Sequence, residues 1–357
     1  MKIKTVTMQT MMTKAIKGVG NNKLLPLTCL IALEVKDGIF TITSTDNVNY
    51  LYVTEQIDST DDFYVCIRAE QFAKLISKLT SEYVELTIKD NSLSVVANGN
   101  YKIEIPNDEM GEVIKYPNPV KDFSFDDKIG TLTLANIGYI LNSVKSGLAT
   151  TIEAFPYTNY YIGDRAIATD SIKISGYNAQ LFSKPQLVTA STMDLLETMS
   201  DDAVDVYVAD GKIVFKSSNV TVYGMIPEGI DTYSIDAINN LVAQEFPNTC
   251  KVTKSGVLQL LDRIALFVDA YDDGAIRITF NKDSLTVSSR QTSGEEVIDY
   301  KESINIEDSY TINIDIFMLQ SQIKALDSDS FTVHFGKPNA IKLEDGLITS
   351  VIGLMQI

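Results

Sequence analysis

Residues suited to chemistry are few in this sequence, and they stand apart from one another. The single histidine, His334, lies in the alternating segment 331–335, which is typical of a β-strand. No serine or cysteine motif accompanies it, so a structural histidine is a better interpretation than a general base. The segment Gly18-Val19-Gly20 follows a predicted helix and lacks the third glycine of a dinucleotide-binding loop.

Four pairs of adjacent aspartates could suggest a divalent metal site. They lie in predicted turns or just before helices, where aspartate accepts hydrogen bonds from backbone N–H groups, and none has the glycine and glutamate of a calcium loop. The pairs are Asp61-Asp62, Asp126-Asp127, Asp201-Asp202 and Asp272-Asp273. The sequence therefore predicts no catalytic residue, no metal, no cofactor and a protein that is not an enzyme.

Composition limits the partners of the chain. Its 357 residues are 45% hydrophobic and 22% charged, enough for two or three cores, and the formal charge is −17. That charge alone predicts repulsion from nucleic acid and anionic membrane, although a local basic patch remains compatible with it. No stretch reaches eighteen apolar residues. The cysteines Cys29, Cys66 and Cys250 have apolar neighbours and indicate reduced thiols in a cytoplasmic protein.

The sequence repeats one plan six times, an amphipathic helix followed by a β-hairpin. Turn residues between alternating runs mark the hairpins at Asp37-Gly38, Asp90-Asn91, Gly163-Asp164, Asp210-Gly211, Lys282-Asp283 and Lys337-Pro338. Alternate turns recur about 120 residues apart, which predicts three similar domains, each made of two similar halves. We place these domains at residues 1–125, 126–246 and 247–357. The fold class is α+β, with antiparallel sheets covered on one side by helices.

Cations lie on the polar faces of five of the six predicted helices. They are Lys14, Lys17, Lys74, Lys78, Lys145, Lys254, Arg263 and Lys324, and the fourth helix carries Asp194 and Glu197 instead. For any one helix, a solvated face is the ordinary explanation. If the repeats close into a ring with the helices inside, however, these charges converge on one central hole.

Several local segments resemble a known family when they are taken in order. Residues 33–38 lead to Thr43-Ser44-Thr45-Asp46-Asn47, Asn159-Tyr160-Tyr161-Ile162 precedes Ala168-Thr169-Asp170, and the chain ends on residues 353–357. In order and in threefold period they resemble the bacterial-type DNA polymerase sliding clamp, the β processivity factor, along essentially the whole chain. The differences suit a phage or divergent bacterial member.

This resemblance implies a head-to-tail homodimer that forms a six-domain ring around double-stranded DNA, without base-specific contacts. It further implies a cytoplasmic protein that tethers a replicative DNA polymerase and is placed on DNA by a clamp loader. The eight helix cations, with Tyr160 and Tyr161, are then expected to contact DNA. The expected dimer interface is an edge strand with Ile103 and Ile105 against a helix end with Leu266 and Phe267.

The same resemblance implies a groove for a partner peptide between the second and third domains. Its expected residues are Ile162, Thr169, Ile172, Ile174, Val351, Leu354, Met355 and Ile357. The apolar C-terminal tail supports this expectation, because an apolar terminus frays unless it is docked. Two segments depart from the family pattern and bear on partner preference. Ser171-Ile172-Lys173 replaces Gly-His-Arg, and Leu354 and Gln356 replace a proline and an arginine.

Two other functions are compatible with the residues alone. A repeat-built scaffold without DNA binding would carry its lysines scattered over the outer surface. An enzyme would need titratable groups that converge in one cleft, which the sequence does not indicate.

Overall fold

Helices and antiparallel strands make up the chain, which confirms the α+β class. The structure is a computed structural model, and it describes residues 1–20, 22, 24–58, 62–89, 91–108, 110–201, 203–268, 273–291, 293–304 and 306–356. Every strand pair recorded among these residues is antiparallel.

The first predicted domain contains two helices and eight strands. The helices are α1 (Thr5–Ala15) and α2 (Ala69–Lys78), and the strands are β1 (Lys2–Lys4), β2 (Leu30–Lys36), β3 (Ile39–Thr45), β4 (Tyr50–Gln56), β5 (Phe63–Arg68), β6 (Tyr83–Lys89), β7 (Ser92–Val96) and β8 (Asn100–Glu104). The predicted apolar stripe of α1 is confirmed, since Met8, Met11, Met12 and Ala15 are all buried. The polar face of α1 is therefore left outside this core.

The middle region contains three helices, one more than predicted. The helices are α3 (Leu134–Asn142), α4 (Ala190–Leu195) and α5 (Ile235–Val242), and the strands are β9 (Lys128–Leu132), β10 (Asn159–Ile162), β11 (Ala166–Thr169), β12 (Lys173–Tyr177), β13 (Gln186–Thr189), β14 (Val204–Ala209), β15 (Lys212–Lys216) and β16 (Val220–Met225). Helix α4 is short and continues as a 3₁₀ turn at Leu196–Thr198. Helix α5 was missed because its pattern spans barely two turns.

Among the residues that the structure describes, the last region contains two helices and nine strands. The helices are α6 (Lys254–Ile264) and α7 (Ile316–Lys324), and the strands are β17 (Asn248–Thr253), β18 (Ala275–Phe280), β19 (Ser284–Ser289), β20 (Glu295–Asp299), β21 (Glu302–Ile304), β22 (Tyr310–Asp315), β23 (Ser330–Phe335), β24 (Ala340–Asp345) and β25 (Ile348–Gly353). Asp315 begins α7, because its carboxylate accepts hydrogen bonds from the N–H groups of Phe317 and Met318.

The six predicted hairpins are present as the strand pairs β2–β3, β6–β7, β10–β11, β14–β15, β18–β19 and β23–β24. Local turn chemistry explains this agreement. Asp37 and Gly38 have φ of 51° and 77°, and Asp210 and Gly211 have 47° and 72°, which is the left-handed backbone that a two-residue hairpin turn requires. Asp90, at the second predicted turn, lies outside the described residues.

Contacts divide the chain into two compact units. The first holds residues 1–134 and 191–226, with sheets in the order β1-β6-β7-β8 and β5-β2-β3-β4-β16-β15-β14-β9. The second holds residues 135–190 and 227–357, with sheets in the order β13-β10-β11-β12-β25-β24-β23-β17-β21 and β20-β19-β18-β22. The two larger sheets each run across one boundary of the sequence-based domains, through the pairs β4–β16 and β12–β25. The three-domain division at 125 and 246 stays a prediction.

Candidate functional site

We call the pairing of β4 with β16 the first junction and the pairing of β12 with β25 the second junction. A groove opens in the second unit beside the second junction. In register, Ile174 lies opposite Val351. The groove has a volume of about 320 Å³ and a largely apolar lining without a charged side chain. It is lined by Tyr157, Thr169, Ser171, Ile172, Ile174, Ala237, Ile238, Leu241, Asn339, Ala340, Val351 and Gly353.

A tight turn at residues 169–173 forms one rim of this groove. The Thr169 hydroxyl donates to the carbonyl of Lys173 at 2.7 Å and accepts from the N–H of Ser171 at 3.1 Å. The Asp170 carboxylate accepts from the N–H groups of Ile172 and Lys173 at 3.0 and 2.9 Å, and it also pairs with the Lys173 ammonium. Ser171 has φ of 77°, and the side chain of Ile172 is left 59% exposed at the rim.

Four of the eight residues predicted for the groove line it, namely Thr169, Ile172, Ile174 and Val351. Ile162 does not, and its placement is corrected, because it is fully buried in β10. The lining also omits Leu354 and Met355.

The C-terminal tail instead packs against the apolar core of the second unit. Leu354 packs against the apolar core of the second unit, and its N–H donates to Asn339 at 3.0 Å. The N–H of Met355 donates to the carbonyl of Asn313 at 2.9 Å. Ile357 lies outside the described residues.

The sequence analysis missed the wall of the groove that α5 contributes. Ala237, Ile238 and Leu241 lie on this helix and line the groove, and Tyr157 and Tyr233 pack in the core beneath it. The spacing of Ile235, Ile238 and Leu241 is the signal that could have revealed this amphipathic helix.

In the first unit, the lysines predicted to contact DNA differ in the hydrogen bonds and ion pairs that they form within the protein. The Lys17 ammonium pairs with Glu197 at 2.7 Å, and Lys14 donates to the Ser200 hydroxyl at 2.9 Å. Partial burial lowers the pKa of Lys14, although Asp201 and Glu55 act to raise it.

Both cations of α2 lie on its exposed face. Lys74 pairs with Glu70 one turn earlier in the helix, whereas Lys78 is exposed in the last turn. The helices α1 and α2 pack together, and Gln9 of α1 donates to the carbonyls of Ile76 and Leu79 at the end of α2. The exposed part of α2 is therefore held next to α1.

In the second unit, one of the predicted cations has a structural role. The Lys254 ammonium donates to the carbonyls of Lys324 and Leu326 at 3.2 and 2.6 Å, so it caps the end of α7. Its contact with DNA stays a prediction. Lys145 and Lys324 are exposed.

Arg263 forms a two-point pair with the Glu296 carboxylate through Nε at 2.7 Å and an Nη at 2.6 Å. Glu296 belongs to β20, an edge strand of its sheet. The guanidinium therefore ties the last turn of α6 to this edge.

Tyr160 and Tyr161 lie in strand β10 and not in a loop, so the expectation that they touch DNA is wrong for this conformation. Tyr160 is fully buried and Tyr161 is 8% exposed. The Tyr161 ring stacks on Tyr233 at a centroid distance of 5.5 Å, and both rings belong to the core beneath the groove.

The residues predicted for the dimer interface fall into two classes. Leu266 and Phe267, at the 3₁₀ turn after α6, are 81% and 52% exposed, which is unusual for large apolar side chains. Ile103 and Ile105 are corrected, because they are buried in the first unit at 3% and 5% exposure. Strand β8, which carries Ile103, is an edge strand as expected.

His334 has the structural role that its strand predicted. Its Nε2 lies 2.8 Å from a carboxylate oxygen of Glu344 on the neighbouring strand β24. Burial lowers the pKa of His334, although Glu344 acts to raise it. Within the described ranges, no helix is long and apolar enough to cross a membrane, and no group of three metal-ligating side chains is found.

Known proteins resemble this chain in sequence and in fold. Residues 1–117 match the family model of the DNA polymerase III beta subunit, N-terminal domain. The beta sliding clamp of Staphylococcus epidermidis is 19% identical over 355 residues, covering 92% of each chain. The DNA polymerase III subunit beta of Borrelia burgdorferi, solved with a natural product, superposes at a TM-score of 0.85 with 18% identity, covering 100% of this chain and 99% of its own.

The DNA polymerase III subunit beta of Pseudomonas aeruginosa superposes at a TM-score of 0.86 with 12% identity and the same coverage. The clamp fold that the resemblance implied is thereby confirmed. The comparisons also agree with the prediction that the protein is not an enzyme. The chain therefore shares the fold of the bacterial DNA polymerase III beta sliding clamps, and its residues 1–117 also match their N-terminal domain in sequence.

Proposed function

We propose that this protein is a DNA sliding clamp. Two copies join head to tail into a ring that surrounds double-stranded DNA in the cytoplasm and tethers a replicative DNA polymerase, and a clamp loader places the ring on DNA. The observation that carries the proposal is agreement of fold over 100% of the chain with DNA polymerase III beta subunits. The fold alone does not specify a function, so the surfaces below support the proposal independently.

Ring closure is supported by exposed apolar side chains next to an unpaired strand edge. Leu266 and Phe267 follow α6, and Arg263 of the same helix holds the edge strand β20. Strand β8 offers a second unpaired edge in the first unit. In a head-to-tail contact, the Leu266 surface of one copy meets strand β8 of the other. Two copies then form a closed ring if the contact relates them by a half turn. Ile103, a residue of β8, is buried in the first unit at 3% exposure, so the strand edge and not this side chain is proposed to make the contact.

DNA binding is supported by cations on exposed helix faces in an otherwise acidic chain. Lys78, Lys145 and Lys324 are exposed, and Lys17, Lys74 and Arg263 reach the surface in ion pairs. Such a surface attracts phosphates without reading base edges, which suits a ring that must move along DNA.

Partner binding is supported by the groove at the second junction. It combines a largely apolar lining with two exposed large apolar side chains, Ile172 and Leu241, and a single side-chain amide, Asn339. This lining suits a short linear segment with apolar anchors, of the kind that a polymerase or clamp-loader tail supplies. The lack of a charged lining residue favours uncharged side chains in the groove.

The proposal is tested by Leu266→Lys, with Leu347→Lys as the matched control. Both leucines are exposed, at 81% and 52%, and only Leu266 lies on the proposed interface. We expect Leu266→Lys to be a folded monomer without polymerase stimulation on a long primed template, and Leu347→Lys to stay a stimulating dimer. Solution mass and electron micrographs of the particles measure the assembly. A wild-type protein without a central hole and without stimulation would favour the scaffold function instead.

A further inference from the structure

The fourth helix carries acidic residues where the other five predicted helices carry lysine or arginine. The structure reveals which residue its Glu197 carboxylate contacts. Glu197 lies in the 3₁₀ turn Leu196–Thr198 that continues α4. In the sequence repeat it occupies the polar face on which the other helices carry lysine or arginine. The buried face of this element holds Met193 and Leu196, so Glu197 points away from the core.

Glu197 forms an ion pair with Lys17, in the 3₁₀ turn that follows α1, although 180 residues separate them in the sequence. Its carboxylate lies 2.7 Å from the Lys17 ammonium, with the two side chains 50% and 42% exposed. One turn of α1 earlier, Lys14 donates to Ser200, which follows the 3₁₀ turn Leu196–Thr198. Lys14 of α1 and Lys17 of the 3₁₀ turn Ile16–Gly18 that follows it therefore both face the end of the fourth helix.

We propose that Glu197 is an affinity-limiting residue of the DNA-facing surface, because it holds Lys17 in an internal ion pair that a phosphate must displace. The inference rests on the proposed function and assigns a residue that weakens DNA binding. It gives Glu197 a role opposite to that of the helix cations.

The physical argument concerns counterions. A cation that neutralises a phosphate releases a condensed counterion, and this release supplies much of the affinity for DNA. When Lys17 leaves Glu197 for a phosphate, the Lys17–Glu197 ion pair is broken, which offsets part of that gain. An exposed pair of this kind contributes little to stability, so it opens readily but still lowers the net affinity for DNA.

Lys78 provides the internal comparison. It lies on α2 of the same unit, is exposed, and has no carboxylate partner within the part of the chain that the structure describes. Its contact with a phosphate would therefore displace solvent alone. The proposal expects Lys78 to contribute more to DNA binding than Lys17.

The test is equilibrium binding of a fluorescent linear duplex to the full-length protein, by anisotropy over a roughly fourfold range of salt. A linear duplex has free ends, so it enters a ring without a loader. The variants are Glu197→Gln, Lys17→Gln, the double variant and Lys78→Gln. Glu112→Gln, in an exposed loop, is the control for the change in net charge. Solution mass confirms that every variant keeps the wild-type assembly.

We expect Glu197→Gln to steepen the slope of log affinity against log salt by up to about 0.9, which corresponds to about threefold across the salt range. Lys17→Gln should have little effect alone and should cancel the gain in the double variant, whereas Lys78→Gln should weaken binding. If Lys17→Gln weakens binding as much as Lys78→Gln, or if Glu112→Gln matches Glu197→Gln, the role of Glu197 is overturned. If instead no variant changes binding, the DNA-facing assignment of this surface fails, and the proposed function fails with it.

Discussion

The two junctions of this molecule have the same strand pairing and the same preceding turn, but different side chains fill them. At the first junction, β4 pairs with β16 and Tyr50 lies opposite Tyr223; at the second, β12 pairs with β25 and Ile174 lies opposite Val351. Each follows a turn with the same hydrogen bonds, and the third turn residue, Asn47 or Ser171, has φ of 83° or 77°. The junctions therefore differ in side-chain size and in the segment that covers them.

The first junction is filled by aromatic rings. Tyr50 and Tyr223 meet edge to face at 5.9 Å, and Phe123, from the segment that follows the 3₁₀ turn Pro119–Asp122, packs on Tyr223 at 6.3 Å. Phe125 adds a contact to Phe123 at 5.1 Å. At the second junction the corresponding segment forms α5, and the aliphatic pair beneath it leaves the groove open. Side-chain volume thus decides which junction is packed and which is left open as a groove.

The largest expected effect comes from making the second junction like the first. The double substitution Ile174→Tyr with Val351→Tyr should fill the groove of about 320 Å³ and reduce polymerase binding by at least about tenfold. Surface plasmon resonance with the replicative polymerase measures it. Ile39→Tyr with Leu347→Tyr, at two exposed positions, is the control. Undiminished binding by a folded double variant would place the partner site elsewhere.

A second prediction empties the first junction. Tyr223→Ala removes a ring that contacts both Tyr50 and Phe123, and the free energy of unfolding should fall by about 3–5 kcal/mol. Val351→Ala at the second junction should lower it by only about 1–2 kcal/mol, because fewer buried methyl groups are lost. Denaturant unfolding followed by circular dichroism measures both. Equal losses would contradict the contrast between a packed junction and an open one.

A third prediction separates the tail from the groove. Leu354 packs on the core of the second unit and is absent from the groove lining, so Leu354→Ala should lower the free energy of unfolding by about 1 kcal/mol. Polymerase binding should stay unchanged, as for the control Gln356→Ala at an exposed position. A loss of polymerase binding without a loss of stability would instead indicate that Leu354 belongs to the partner groove.

The smallest expected effect is a pH dependence confined to the second unit, which contains the only histidine, His334. Because burial lowers its pKa on folding, the unfolded state binds the proton more readily, and stability falls as the pH drops below the ordinary histidine value of about 6.5. His334→Gln should flatten the stability curve between about pH 6.5 and pH 5. Thermal melts across that range test it; a wild-type curve already flat there would contradict it.

The sequence predicted features that local chemistry determines. The hairpin at Asp37-Gly38 and the buried stripe of α1 follow from residues a few positions apart, and the structure contains both. The groove turn was located through Thr169 and Asp170 because its hydrogen bonds lie within five residues.

Features that depend on distant neighbours were not predictable in the same way. Tyr160 and Ile103 were expected at surfaces, but neighbouring strands and helices bury them. The pairing of Lys17 with Glu197 brings together parts of the chain 180 residues apart, which no local pattern reports. Helix α5 was overlooked because eight residues give too short a period to recognise.

The covering of the first junction by its own chain has a kinetic consequence. Phe123 is joined by only residues 124–127 to β9, which belongs to the same sheet as β4 and β16, so its effective concentration at that junction is about millimolar or higher, and no free peptide displaces it easily. The groove at the second junction has no such tethered competitor among the residues that line it. If the proposed function holds, mass action sets the occupant of this groove, and successive partners would take turns on one ring as their local concentrations rise and fall.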